Sequence, residues 1–290
     1  MKVTVDTPHG PLELDLPRIK FGVMGRPGSG KSELLASMPK PLFVYATDPE
    51  EKLMPYFDRC GRIERGVGQF GQPVLIGFSP TTDKPIMQVE LFYDLEPSSP
   101  SAVTQLLARA QQVRGEVDAG MWASVALDSW SQLETFAVWR RTWGTMAAKD
   151  ADAHGRNYGA AKDDLKPFFW SWLIPLKCNL GIAFHTTEKL REESGVSSYG
   201  IKAIGDLPSG LASVLPERYR SESQADGSTR KLYTKPDGRY DLCTLIDAPN
   251  PCDNHYPALF TNWINKRVAM AAAAKPAPAD PAPQKEGDSK

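Results

Sequence analysis

The chain has 290 residues, of which 41% are hydrophobic and 24% charged, and its 34 Lys+Arg against 35 Asp+Glu leave a formal net charge of −1. These figures exclude a disulfide-stapled miniprotein, a grossly basic nucleic-acid coat and an acidic tail protein; they fit a globular chain able to bury a full core. A local basic loop stays open, because distribution rather than the sum sets an electrostatic footprint.

Residues 3–16 read as two short alternating strands around a Pro-His-Gly turn, an N-terminal hairpin over 1–17. A buried strand follows at 19–25, then a helix over 31–38 stopped by Pro39, a second buried strand at 41–48 and a short helix at 51–60. Segment 65–100 is rich in Gly, Pro and Ser, with strands expected at VLIGF and MQVELF. Residues 101–117 read as a helix, with Val103, Leu106, Leu107, Ala110 and Val113 on one face. A third buried strand, ASVALDS at 123–129, leads into a long helix over 130–147. The stretch 148–158 reads as a polar loop, 159–174 as a helix and GIAFHTT at 181–187 as a fourth buried strand. A polar loop at 188–206 precedes antiparallel strands in YRSES, RKLYTK and YDLCTLI, and a last helix spans 257–270. The tail, 271–290, is Ala, Pro and charge without a large apolar residue, and is expected to be disordered. Apolar β-runs alternating with helices predict an α/β domain over 18–270: a mostly parallel sheet flanked by helices, with antiparallel C-terminal strands.

The four cysteines are dispersed without a CxxC, which excludes a disulfide framework and a zinc ribbon; Cys252 and His255 could form half of a metal site, but no second pair accompanies them. The N-terminus carries no apolar signal-peptide core, and the apolar run 167–176 falls well short of the ~20 residues that span a bilayer, so a cytoplasmic protein is expected. The tryptophans 130, 139, 143, 170 and 172 read mostly as core by their spacing.

The informative segment is Gly25-Arg26-Pro27-Gly28-Ser29-Gly30-Lys31-Ser32, which fits GxxxxGK[ST] between a predicted strand and a predicted helix. Its glycines let the backbone approach phosphates, and amides at the helix start point at them as donors. Lys31 supplies charge to the β- and γ-phosphates, and Ser32 offers a hydroxyl to Mg²⁺. The partner carboxylate for that metal is expected at a neighbouring strand end, where ligands bind in open α/β sheets, and Asp128 stands there. An N-cap for the helix from Trp130 is the plainer role for Asp128. Asp48, and after it Glu50, are candidates to activate the attacking water, against a plainer role as loop caps. Glu134 is a weaker candidate, expected to face solvent, and His185 at the fourth strand end is a candidate sensor of the γ-phosphate.

With these residues in place the chain resembles RecA-type P-loop ATPases, in particular the phage-encoded RecA-like ATPases of single-strand annealing and recombination. GRPGSGKS, PLFVYATDPE, VALDSWSQL, NYGAAKDDLKPFF and NLGIAFHTTEK carry the resemblance, over roughly residues 18–250. It implies ATP and Mg²⁺ as cofactors, a homo-oligomeric ring or filament with no membrane, and single-stranded DNA as partner, in a bacterial host's cytoplasm if phage-encoded. It places Asp48 where RecA-type proteins usually carry Glu, a departure that implies slow hydrolysis or a role for Glu50. It assigns DNA contact to Lys189, Arg191 and Lys202 in the later loop and to Lys149 and Arg156 in the earlier one. It also implies a basic residue from a neighbouring subunit at the ATP site, with Arg230, Lys235 and Arg239 as candidates. The residues alone leave two other readings open: a P-loop phosphotransferase on a small molecule with 188–204 as its lid, and an ATP-driven assembly switch without hydrolysis.

Overall fold

The computed structural model describes residues 2–7, 10–94, 101–142, 151–190, 197–201, 215, 217–224, 229–236 and 242–273. β1 (Lys2–Thr7) and β2 (Gly10–Asp15) form a separate antiparallel two-stranded sheet, Val5 facing Leu12. β3 (Lys20–Gly25), β4 (Leu42–Ala46) and β8 (Ser124–Asp128) are buried almost end to end. With β7 (Pro85–Leu91), β9 (Asn179–Leu190) and β11 (Glu217–Ser223) they form a parallel block in the order β11-β3-β9-β8-β4-β7. Continuous apolar runs belong to such strands, because helices cover both faces.

The period-two alternation of side chains divides the core. Phe43, Tyr45, Val125, Leu127, Ile182 and Phe184 point to the face covered by α3 (Ala102–Asp118), α4 (Trp130–Thr142) and α5 (Ala151–Pro167). Val23, Leu42, Val44, Ala126 and Ala183 point to the face covered by α1 (Lys31–Ala36), α2 (Met54–Phe57) and the 3₁₀ turn Tyr256–Phe260. The chain then ends its described part in α6 (Thr261–Ala273), which runs three residues into the segment expected to be tail.

Antiparallel strands extend both edges. β6 (Pro73–Phe78) and β5 (Arg62–Val67) follow β7; β12 (Arg230–Tyr233) and β13 (Cys252–Asp253) follow β11. β5 was invisible to apolar patterning, because its sequence, RIERGV, is largely exposed. Cross-strand chemistry holds it: Arg62 lies 3.8 Å from the Phe78 ring centroid and pairs with Asp83. Charge on an edge strand also discourages pairing with other chains.

The antiparallel contacts expected of the C-terminal strands are present, β11 with β12 and Arg218 with Cys243, while on its other side β11 runs parallel to β3. Two expectations need correction. Residues 151–158, read as loop, are the first turns of α5, a helix whose sparse apolar residues (Ala161, Leu165) become buried further along. Residues 188–190 continue β9, and β10 (Ser197–Ile201) pairs back onto Thr186–Leu190, so part of the predicted loop 188–206 is a β-ribbon. No helix among the described residues is long and apolar enough to cross a membrane.

Candidate functional site

The loop 25–32 leaves the end of β3 and enters α1. Gly30 has φ +98°, and a Cβ there would stand 2.3 Å from Arg230 Cδ and 2.6 Å from Asn254 Nδ2. A Cβ on Gly25 would stand 2.3 Å from Ser29 Oγ. Both positions therefore demand glycine, one for conformation and both for space. Two distant residues pin the loop. The Ser221 hydroxyl donates to Ser29 O at 2.6 Å, and Asn254 Nδ2 donates to Gly30 O at 2.8 Å. Arg26, Pro27 and Gly28 remain exposed at the tip.

Lys31 is 6% exposed, and its Nζ donates to Gly25 O at 3.0 Å and Arg26 O at 2.9 Å. Burial pushes its pKa down; the nearby charges of Asp128 and Asp48 oppose the shift. Asp128 ends β8 and is 3% exposed. Burial pushes its pKa up, Asp48 adding to the rise, while bonds from Ser32 and Tyr56 and the charge of Lys31 pull against it. The Tyr56 hydroxyl donates to Asp128 Oδ2 at 3.0 Å. Thr47 locks the ends of β4 and β8 together: its amide donates to Asp128 O at 2.8 Å, and its hydroxyl donates to Ser129 O at 2.9 Å.

Lys31, Ser32, Asp48, Asp128 and His185 line one cavity of about 330 Å³. Asp48 stands 3.3 Å from Lys52 Nζ. His185 sits opposite Gly25 in the β3–β9 register, its amide donating to Ser131 Oγ at 3.0 Å. Glu50 is turned to β5, where it accepts from Arg65 Nη2 at 2.7 Å, and does not line the cavity. Glu134, expected in solvent, is 6% exposed and accepts from Trp130 Nε1 at 2.7 Å. The helix turns it inward because its apolar neighbours Leu133 and Ala137 face the core.

The remaining candidates scatter. Lys149, Arg191, Lys202 and Arg239 lie outside the described residues. Arg156 falls in α5 and Lys189 in β9, and their side chains lie outside what is described. Lys235 is exposed beyond β12. Arg230, a candidate to act on a neighbour's site, instead lines the cavity of its own chain. His255 Nδ1 accepts from Ala258 N at 3.3 Å as a turn cap, and the described residues hold no group of three His, Cys, Asp or Glu placed for a metal.

Tyr56, Thr47, Ser221 and Asn254 were given no role by sequence reasoning. Their partners lie 72, 82, 192 and 224 residues away, and no local pattern marks such pairs.

No protein-family model matches the chain, and no curated protein matches it. Among solved structures it matches an ATPase from the type III secretion system of pathogenic bacteria, at 13% identity and a TM-score of 0.41. The match covers 72% of this chain and 53% of that one, so this chain spans about half the length of that structure. A likeness this slight carries no activity across.

Proposed function

We propose that the chain is a Mg²⁺-dependent RecA-like ATPase. The observation that carries this reading is the single cavity in which the loop, the ends of β4 and β8, and β9 bring together Lys31, Ser32, Asp48, Asp128 and His185. The residues fit a metal-bound triphosphate. The glycine cradle leaves room for phosphate oxygens, the Ser29 hydroxyl is buried without a hydrogen-bond partner, and Lys31 holds only loop carbonyls that a phosphate can replace. Ser32 and Asp128 would hold Mg²⁺, which neutralises charge on the phosphate oxygens when bound. Lys31 binds and orients the phosphates, the Ser32 and Tyr56 bonds favour the charged form of Asp128 at the metal side against its burial, and Asp48 accepts the proton of the attacking water.

The finer reading is an oligomer that binds single-stranded DNA and assists annealing or recombination. Its support is the continuity of β9, which runs without a break from His185 at the cavity to the ribbon with β10, where the resemblance puts DNA contact. A second reading, an ATP-driven assembly switch with negligible turnover, draws on the carboxylates. Glu50 is committed to Arg65 and Glu134 to Trp130, which leaves Asp48, tied to Lys52, as the base.

ATP turnover by the protein and by Lys31→Ala, at low salt, with and without single-stranded DNA, tests these readings. The ATPase reading expects turnover in the wild type and none in the variant. DNA stimulation that fades as salt rises supports the finer reading. Tight nucleotide binding without turnover selects the switch, and absence of nucleotide binding overturns all three.

A further inference from the structure

Arg230 opens β12, two strands from β3, yet its side chain lies on the phosphate loop. Its Cδ stands 2.3 Å from where a Gly30 Cβ would be, so its stem rests on the last glycine of the loop. Its Nη1 donates to Glu33 Oε2 at 2.8 Å, in the first turn of α1. Its Nε is buried and has no hydrogen-bond partner. It lines the same cavity as Lys31, Ser32 and Asp128.

A guanidinium carries its donors in a planar fork suited to two acceptors at once. Here one arm holds a half-exposed carboxylate and the buried Nε holds nothing. Half-exposed pairs of this kind are weak and readily exchanged. A phosphate group offers several oxygens and more charge than Glu33 does, and it matches the fork. The mounting is firm, since β12 is hydrogen-bonded to β11 and β13, Lys231 pairs with Asp253 across the β12–β13 step, and Asn254 beside it holds Gly30 O.

We propose that Arg230 binds the phosphate chain of the nucleotide in cis, on the loop of its own subunit, and that Glu33 holds its place when no nucleotide is bound. The proposal rests on the ATPase reading and replaces the expectation that Arg230 serves a neighbouring site.

Titration of a fluorescent ATP analogue with Mg²⁺ tests it, on the wild type, Arg230→Ala, Arg230→Lys and Glu33→Gln. Losing a charge-assisted bond to phosphate weakens binding by about tenfold or more in Arg230→Ala, with partial recovery in Arg230→Lys. Glu33→Gln, which removes the competing carboxylate from the cavity, tightens binding more with Arg230 present than in the Arg230→Ala background; an equal gain in both overturns the exchange. The melting temperature without nucleotide separates misfolding from lost binding. Mixing Arg230→Ala with Lys31→Ala subunits decides between cis and trans. A cis role leaves the mixture no more active than the sum of its two variants, and turnover above that sum overturns the proposal. Equal binding by the wild type and Arg230→Ala overturns it while the ATPase reading survives; a wild type that binds no ATP overturns both.

Discussion

Replacing Tyr56 by Phe isolates one of the three groups that hold the pKa of Asp128 down against its burial. Tyr56 is fully buried, and its hydroxyl donates to Asp128 Oδ2 at 3.0 Å. The ring volume is conserved, so no cavity contributes. A hydrogen bond to a charged group is worth about 1.5–3 kcal/mol, and omitting a buried hydroxyl returns part of this, leaving a loss of about 1–2 kcal/mol. The sign with pH follows from Asp128. Its folded pKa is raised above the unfolded value, chiefly by burial, so its ionised form costs stability, fully above the folded pKa and not at all below the unfolded one. The Tyr56 bond opposes that rise, and removing it lifts the folded pKa further, by about one unit for each 1.4 kcal/mol lost. Urea denaturation without nucleotide therefore shows Tyr56→Phe to be about 1–2 kcal/mol less stable near pH 8, with the gap closing as the pH falls through the folded pKa. In turnover, the acidic limb of the kcat/KM profile moves to higher pH. A stability loss that is the same at both ends of the pH range, or no loss near pH 8, refutes the coupling between Tyr56 and the charge on Asp128.

Two further changes probe the frame around the site. Lys40 has its pKa pushed down to about 7 by burial and by Arg59, so its charge costs stability below about pH 7, a cost relieved as the pH rises toward the unfolded value near ~10.4. Lys40→Met is expected to raise urea stability by about 2–4 kcal/mol on the acid side of that window and by little at its alkaline end. Arg109→Met takes the cation away from Glu90, which is 1% exposed, accepts from Arg109 Nε at 2.9 Å and keeps bonds from Gln72 and Gln88. Removing one partner of such a buried pair costs about 3–5 kcal/mol, and Arg109→Met combined with Glu90→Leu recovers part of it if the uncompensated buried charge is the cause.

What the sequence disclosed depended on how local the determinant was. The phosphate loop is eight consecutive residues, and its strand and helix neighbours are written in adjacent apolar patterns, so 25–32 was readable in full. Asp128 and Asp48 were readable because buried parallel strands end in the cavity, and a strand end is a local feature. Edge and surface elements were not. β5 carries no apolar face, and the first turns of α5 carry few apolar residues, so each looked like loop until its partners were in place. Glu50 and Glu134 failed for another reason. Composition shows a carboxylate near a strand or helix, but the partner that claims it, Arg65 or Trp130, depends on packing geometry.

Arg230 marks the far end of that scale and shows why it matters for function. From sequence it was one of three basic residues beyond the core strands, equally able to reach a neighbour. Its place is set by the register β3–β11–β12, which puts Glu217–Arg220 beside Phe21–Met24 and Arg230–Tyr233 beside Arg220–Ser223. That register also brings Ser221 under Ser29, and Asn254 follows through β13 to Gly30. Three contacts on one loop thus come from the same end of the sheet, β11 and the strands beyond it. In the proposed ATPase the loop 25–32 supplies the chemistry, and the C-terminal strands hold it in shape. A truncation before Ser221 would therefore remove the loop's supports and Arg230 together, even with every residue of 25–32 intact.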